Sequence, residues 1–314
     1  MIIYIGKRIV ALLPIWLILS LLSFSLLHLA GGSPAAVILG VQATPAEIAQ
    51  LNAQMGLDLP LPVQYLKWLG NVVHGDFGQS FFLNSGVAPA LITHFSVTLT
   101  IVLLGFVIAL LIGVGAGTIS AVRRGGVVDA MVTIVSSLGF AVPEFMLGLL
   151  LILFLAVSHP IFPVQGYVAW QVSPASWLAH LVLPSFTIGF IQAGPLARIT
   201  RTSLLRVLAA DYVRTARAKG CPPLVVIFRH ALSSALLPLL TGIGLIFTAL
   251  LGGAFVTEVV FNLPGLGELM LNSALHRDFP TLQGGVLFIG TMILLVNLAI
   301  DILYSLVDPR VRLG

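Results

Sequence analysis

Charge is scarce in this chain. Asp, Glu, Lys and Arg together make up 8% of its 314 residues, against about 25% in a soluble domain. So few polar groups cannot cover a water-facing surface of this size, which excludes an ordinary soluble globular fold. Cysteine is nearly absent: Cys221 stands alone, so no disulfide forms within the chain. No GxxxxGK[ST] stretch occurs, so there is no Walker A phosphate loop, and any ATP that drives this protein binds another subunit. No HExxH or paired-Cys signature occurs. The histidines at 28, 74, 94, 159, 180, 230 and 276 are scattered near the ends of apolar runs and read as interface residues, not metal ligands. No carboxylate pair, nucleophile elbow or triad spacing supports an enzyme. No basic cluster is interleaved with exposed aromatics, which argues against nucleic acid as a partner.

What is present is apolar. Hydrophobic residues make up 58% of the chain, and the mean hydropathy is +1.09. A hydrocarbon core of ~30 Å needs about 20 apolar residues at ~1.5 Å rise each. Six runs meet this, near 9–30, 95–121, 131–157, 180–199, 236–260 and 282–306. In lipid the backbone must satisfy its own hydrogen bonds, so the runs are helices. The fold class is an all-α polytopic membrane protein with six transmembrane helices. The first run follows Lys7 and Arg8 as a signal sequence would, but it exceeds the ~7–15 residues of such an apolar segment and reads as the first span.

Six spans put both termini on one side. With that side inside, it holds every Lys and Arg of the chain except Lys67 and Arg277. The excess of cations on cytoplasmic loops then places both termini in the cytoplasm, and the net charge of +4 follows from topology.

Three regions result: a tail and first span at 1–30, an outer cap segment at 31–93, and a five-helix core at 94–314 with an inner loop at 200–232. In the cap, TPAEIAQLNAQMGL at 44–57 starts a helix with Thr44 as cap, Pro45 at the first position and Glu47 three residues on. A second short helix is expected at 59–69, with Tyr65 and Trp68 at interface depth, and a turn at 75–80 (GDFGQS). The cap has too few core-forming runs to fold alone, so it is expected to pack on the outer ends of the spans. PGLG at 264–267 is a turn leading into a helix of two to three turns.

DYVRTARAKG at 211–220 concentrates charge between apolar runs. Asp211 suits an N-cap, Lys219 the last turn and Gly220 the left-handed position after it, while Pro222 and Pro223 forbid continuation. So short a helix is marginal alone and must pack on something. Ala216 and Gly220 form a small-residue face, and Arg214 and Arg217 a charged one. Two readings stand: a solvated inner loop, or a helix that docks in a protein groove. The absence of Leu, Phe and Trp argues against a membrane-surface helix.

Ionisable groups inside spans point to function by default. Glu144 follows Pro143, which breaks the helix ladder; it lines an aqueous path or is a structural partner near one mouth. Glu258 lies at the outer end of the fifth span, facing a soluble partner or the PGLG loop. Asp301 reads as a packing or salt-bridge residue. Gly242, Gly244, Gly252 and Gly253 serve close packing or a widened path.

DYVRTARAKG, followed by RHALSSALLP at 229–238, resembles the conserved loop of permease subunits of ABC importers of the dipeptide/oligopeptide/nickel class. The resemblance covers the whole chain: GLDLPLPVQYLKWL (56–69), GDFGQS (75–80), VPEF (142–145), LGGAFVTEVVFNLPGLGELM (251–270), HRDFPTLQGG (276–285) and DILYSLVDPRVRLG (301–314). It implies the type I ABC importer transmembrane fold and an inner-membrane location. It also implies a coupling helix of Asp211, Tyr212, Arg214, Thr215, Ala216, Arg217, Lys219 and Gly220 that docks in an ATPase cleft. The general importer pattern is Glu-Ala-Ala, three residues, then Gly. Here Arg214-Thr215-Ala216 and Gly220 hold those places, so the Glu is missing. The implied partners are a second, homologous permease, two ATP-binding subunits that carry ATP and Mg, a periplasmic or lipid-anchored solute-binding protein, and membrane lipid. No cofactor is expected in this chain. Candidate path residues are Ser136, Pro143, Glu144, Gly252 and Gly253; candidate contacts for the binding protein are Glu258, Arg277 and Asp278. Short peptides are the implied cargo, with nickel or other metal chelates and glutathione as alternatives. A self-sufficient secondary transporter or channel is the rival class, marked by buried charge pairs and helices broken at mid-membrane.

Overall fold

The computed structural model describes residues 2–29, 34–40 and 43–307; the expected C-terminal motif beyond 307, with Arg310 and Arg312, lies outside them. The described residues form helices α1 (Ile2–Leu29), α2 (Pro34–Leu39), α3 (Pro45–Gln54), α4 (Leu61–Val73), α5 (Val87–Val122), α6 (Val127–Ala141), α7 (Glu144–Ile152), α8 (Pro174–Leu208), α9 (Asp211–Ala218), α10 (Pro223–Val225), α11 (Leu236–Phe261), α12 (Leu266–Leu275) and α13 (Phe279–Val307). π-helical segments Leu153–Ser158 and Val226–Leu232 extend α7 and α10. Five helices, at 5–27, 87–122, 174–208, 238–261 and 279–303, are long and apolar enough to cross a bilayer. The third expected span, at 131–157, is a bent pair, 127–139 and 144–158, turned by 101°.

Two compact units are present, and they do not follow chain order. One holds residues 97–264 and the chain after 295; the other joins 2–96 to 265–295.

In the first unit α8 is the hub, packed on α11, α6 and α7. Leu181, Ile188, Leu196 and Leu204 run down its buried face. Its partner face on α5 is a stripe of small residues four apart: Gly105, Ala109, Gly113 and Gly117. A Cβ on Gly113 would stand 2.7 Å from Leu196 Cβ, and one on Gly117 2.5 Å from the Ala197 carbonyl. Helix association in lipid relies on such close approach, because lipid supplies no hydrophobic drive between helices.

In the second unit α4 packs on α1. The Tyr65 and Trp68 rings gather round Phe24 at 5.5 and 5.8 Å, and Ser20 meets the Tyr65 hydroxyl at 2.7 Å. Ser23 donates to the Gln283 carbonyl and Gln283 Nε2 to the Phe24 carbonyl, stitching α1 to α13. α3 carries the capping box expected from Thr44, Pro45 and Glu47. The Thr44 backbone N–H and hydroxyl both donate to Glu47, which holds that carboxyl below its ordinary range.

Candidate functional site

The bend between α6 and α7 is written in Val142-Pro143. Pro143 has no N–H to continue a helix and forces the residue before it out of the helical region. Val142 accordingly sits at φ −90°, ψ 119°, and α7 restarts with Glu144 as its first residue. An anion is favoured at that helix N-terminus. Thr257, buried on α11, donates its hydroxyl to Glu144 Oε1 at 2.6 Å. One turn earlier on α11, a Cβ on Gly253 would stand 2.5 Å from Oε2, so the carboxylate occupies space that only glycine leaves. The contact α7·α11 continues at Gly148, where a Cβ would lie 3.1 Å from the Phe261 ring.

The structure therefore brings Pro143, Glu144 and Gly253 together and adds Thr257, which a search for charge passes over. Its signal was the spacing: Thr257 lies four residues after Gly253, on the same helix face. Gly252 faces open space. Ser136 lies elsewhere, lining an apolar groove of about 190 Å³ with Gly139 and Gly194. Gly242 and Gly244 make close contact with Ile199 and Ile300, which is packing.

A second polar cluster was not foreseen. Asp129, in the first turn of α6 and 6% exposed, accepts four hydrogen bonds. Ser120 Oγ and Arg201 Nε reach Oδ1 at 2.5 and 2.7 Å; the Gly125 N–H and Arg201 Nη2 reach Oδ2 at 2.9 and 2.8 Å. The bidentate fork is the strong arrangement for Arg and carboxylate. One side chain thus ties the end of α5, the 123–126 turn, α6 and α8.

α8 leads directly into α9. The sequence placed Asp211 at the N-cap, but Ala210 holds that position with no side-chain cap bond, and Asp211 is the first helical residue. The extended backbone begins its turn one residue earlier, and the carboxylate still lies in the first turn where the dipole favours it. It meets Arg214 at 3.5 Å with both side chains largely exposed, a contact worth little. The other end follows expectation. Gly220 takes φ +77°; its N–H bonds the Arg217 carbonyl, and the Cys221 N–H bonds the Ala216 carbonyl. These two bonds are a Schellman motif.

Ala216 was expected to offer a small face to a partner. It does not: Val213 and Ala216 are buried in this chain, with α9 seated on the π-helical segment 226–232 and on α8. Asp211, Tyr212, Arg214, Thr215, Arg217 and Lys219 form the outward face.

The three expected binding-protein contacts separate. Glu258 and Asp278 are fully buried, so neither presents its carboxylate at the surface of this chain. Asp278 instead accepts from the Ser80 and Thr281 hydroxyls and the Phe81 N–H, bonds that hold the turn after 75–80 to the start of α13. Arg277 is exposed, at φ 55°. Four histidines, at 74, 94, 180 and 276, bond Nδ1 to the carbonyl four residues back at 2.7–2.8 Å. Among the described residues no group of three or more His, Cys, Asp and Glu is placed to hold a metal.

Residues 113–313 match the family described as the binding-protein-dependent transport system inner membrane component, and residues 1–102 match its N-terminal companion. The chain belongs to this family. It is a multi-pass inner-membrane component of an ABC transporter, and membership implies ATPase and solute-binding-protein partners. A relative from Sinorhizobium fredii, "Probable peptide ABC transporter permease protein y4tP", is 40% identical over 99% of both chains. The dipeptide transport system permease protein DppB of Escherichia coli is 36% identical over 98% of both. Among solved structures, a chain of the inward-facing MetNI methionine ABC transporter superposes with a TM-score of 0.55 and 21% identity, over 70% of this chain and 96% of that one. This last likeness bears on the fold alone.

Proposed function

We propose that this chain is one permease subunit of an ATP-driven importer of short peptides, that it forms half of the translocation path, and that it takes its power stroke through α9. The peptide assignment rests on the relatives from Sinorhizobium fredii and Escherichia coli, whose names carry peptide and dipeptide transport and which align end to end. The cation distribution supports cytoplasmic termini and α9 on the cytoplasmic side.

One observation carries the coupling reading: α9 is anchored to its own chain on one face and polar and free on the other. Its Schellman stop and buried Val213 and Ala216 make it a rigid attachment to α8. Asp129 and Arg201 join α8 to α6, and beyond the Pro143 break Glu144 meets α11 through Thr257. A displacement imposed on α9 by closing ATPase subunits is thereby passed to helices that flank an intramembrane carboxylate. Affinity for cargo resides mainly in the solute-binding protein, so the path needs no tight site.

The test is reconstitution with the second permease, the ATPase subunits and the binding protein in proteoliposomes. ATP should drive uptake of labelled di- and tripeptides, and a non-hydrolysable analogue should not. Peptide uptake by this chain alone, driven by an ion gradient, would overturn the reading in favour of a secondary transporter, a class that also uses broken helices and intramembrane carboxylates.

A further inference from the structure

The unit formed by 2–96 and 265–295 contains a cavity of about 350 Å³ between the end of α1, the α3–α4 turn, α4, the 76–81 turn and the start of α13. That size is at the lower end of small-molecule sites. Its walls are aromatic, with Phe24, Trp68, Phe77 and Phe81. Two of its residues carry opposite charge, Lys67 and Asp76, and no salt bridge joins them among the described residues. Gln64, also on the wall, uses its Nε2 on the Leu57 and Leu59 carbonyls at 3.0 and 2.8 Å. Its Oε1 is buried without a hydrogen-bond donor from the protein. A buried acceptor in that state is costly unless something else donates to it.

We infer that this cavity is a subsite for a di- or tripeptide with free termini, held on the permease itself. The chemistry selects that class. A carboxylate terminus suits Lys67, and an ammonium terminus suits Asp76, whose Oδ1 also accepts the Gly78 N–H. A turn of the Gln64 side chain brings its buried Oε1 to a peptide N–H, and the cargo's side chain lies against the aromatic walls. A simple anion would meet Asp76 and a simple cation Lys67, while an acyl chain would use neither. The inference rests on the peptide reading above and adds a place where cargo pauses on the side from which it arrives.

The test uses the complete transporter in nanodiscs without its binding protein, with the dipeptide Ala-Phe and its N-acetylated and C-amidated forms, followed by saturation-transfer NMR. A benzophenone analogue of Ala-Phe, photo-crosslinked and mapped by mass spectrometry, locates the site. Ala-Phe should bind at least tenfold better than either blocked form, with crosslinks within 64–81. Lys67→Gln should erase the discrimination against the amide, and Asp76→Asn that against the acetyl form; both side chains are exposed, so the fold tolerates the changes. Equal binding of all three compounds, crosslinks elsewhere, or an acyl chain found in the cavity would overturn the inference. ATP-driven uptake of Ala-Phe with the binding protein present, but no binding here, sinks this site alone. Failure of the complete system to take up any peptide sinks the peptide reading as well.

Discussion

Thr257 and Glu144 lie 113 residues apart in sequence, and their side-chain oxygens are 2.6 Å apart. The hydroxyl belongs to a continuous helix, the carboxylate to the restarted half of a broken one. That bond fixes which way the carboxylate just after the Pro143 break points.

Removing the donor should therefore be felt. Thr257→Val leaves a half-buried carboxylate oxygen without its partner, a loss of about 1 kcal/mol. It should appear as a lower melting temperature of the purified complex. Glu144→Gln combined with Thr257→Val should lose less than the sum of the single changes, because the two act on one contact. Gly253→Ala puts a methyl 2.5 Å from Oε2, so the carboxylate must shift, and should depress uptake at least tenfold while membrane insertion persists.

The Asp129–Arg201 fork predicts a graded series. Asp129→Ala takes both acceptors from the Arg201 guanidinium, whose side chain is 30% exposed, and should lower the melting temperature, with solvent screening part of the loss. Arg201→Lys keeps the charge but loses the bidentate geometry and should fall between wild type and Asp129→Ala. Thermal denaturation gives the stabilities, and ATPase stimulation by loaded binding protein gives the coupling.

For α9 the two faces should separate. Tyr212→Ala and Arg217→Glu, on the outward face, should leave stability within about 0.5 kcal/mol yet uncouple ATP hydrolysis from uptake. Ala216→Trp and Gly220→Pro act inward: the first overfills the seat on α8, and the second demands φ near −65° where the chain takes +77°. Both should lower stability and coupling together. Equal behaviour of the two pairs would remove the distinction.

Much of this was legible beforehand, for local reasons. Apolar run length located the spans, and Gly220, Pro222 and Pro223 marked the end of α9, because chain geometry alone decides those features. Asp211 was misplaced by one residue since N-cap preference competes with the backbone path out of α8. The orientation of Ala216, the pairing of Asp129 with Arg201 and the burial of Asp278 depend on contacts distant in sequence. Small-residue spacing on α5 was readable as Gly105, Ala109, Gly113 and Gly117, yet nothing in that spacing named α8 as the partner.

The capping box of α3 gives a pH test outside the spans. The Glu47 carboxyl is held below its ordinary value first by the Thr44 backbone N–H and then by the Thr44 hydroxyl. A depressed folded value means the box contributes fully above the ordinary range near ~4.3 and loses its contribution as pH falls through the folded value. Hydrogen exchange of the α3 amides, corrected for intrinsic rates, should keep its protection from pH 7 to about 5 and lose it below 4. In Glu47→Gln, which cannot titrate, the same profile should be flat, while Thr44→Ala keeps the backbone N–H bond and should show a smaller drop at low pH.

Because α9 is stopped and seated by its own backbone and by Val213 and Ala216, the six polar side chains it turns outward, with Ala218 exposed beside them, are the surface on which the proposed docking would depend. Transplanting those six alone, onto the corresponding helix of another member of the family, should re-address that subunit to a different ATPase without disturbing the rods above it.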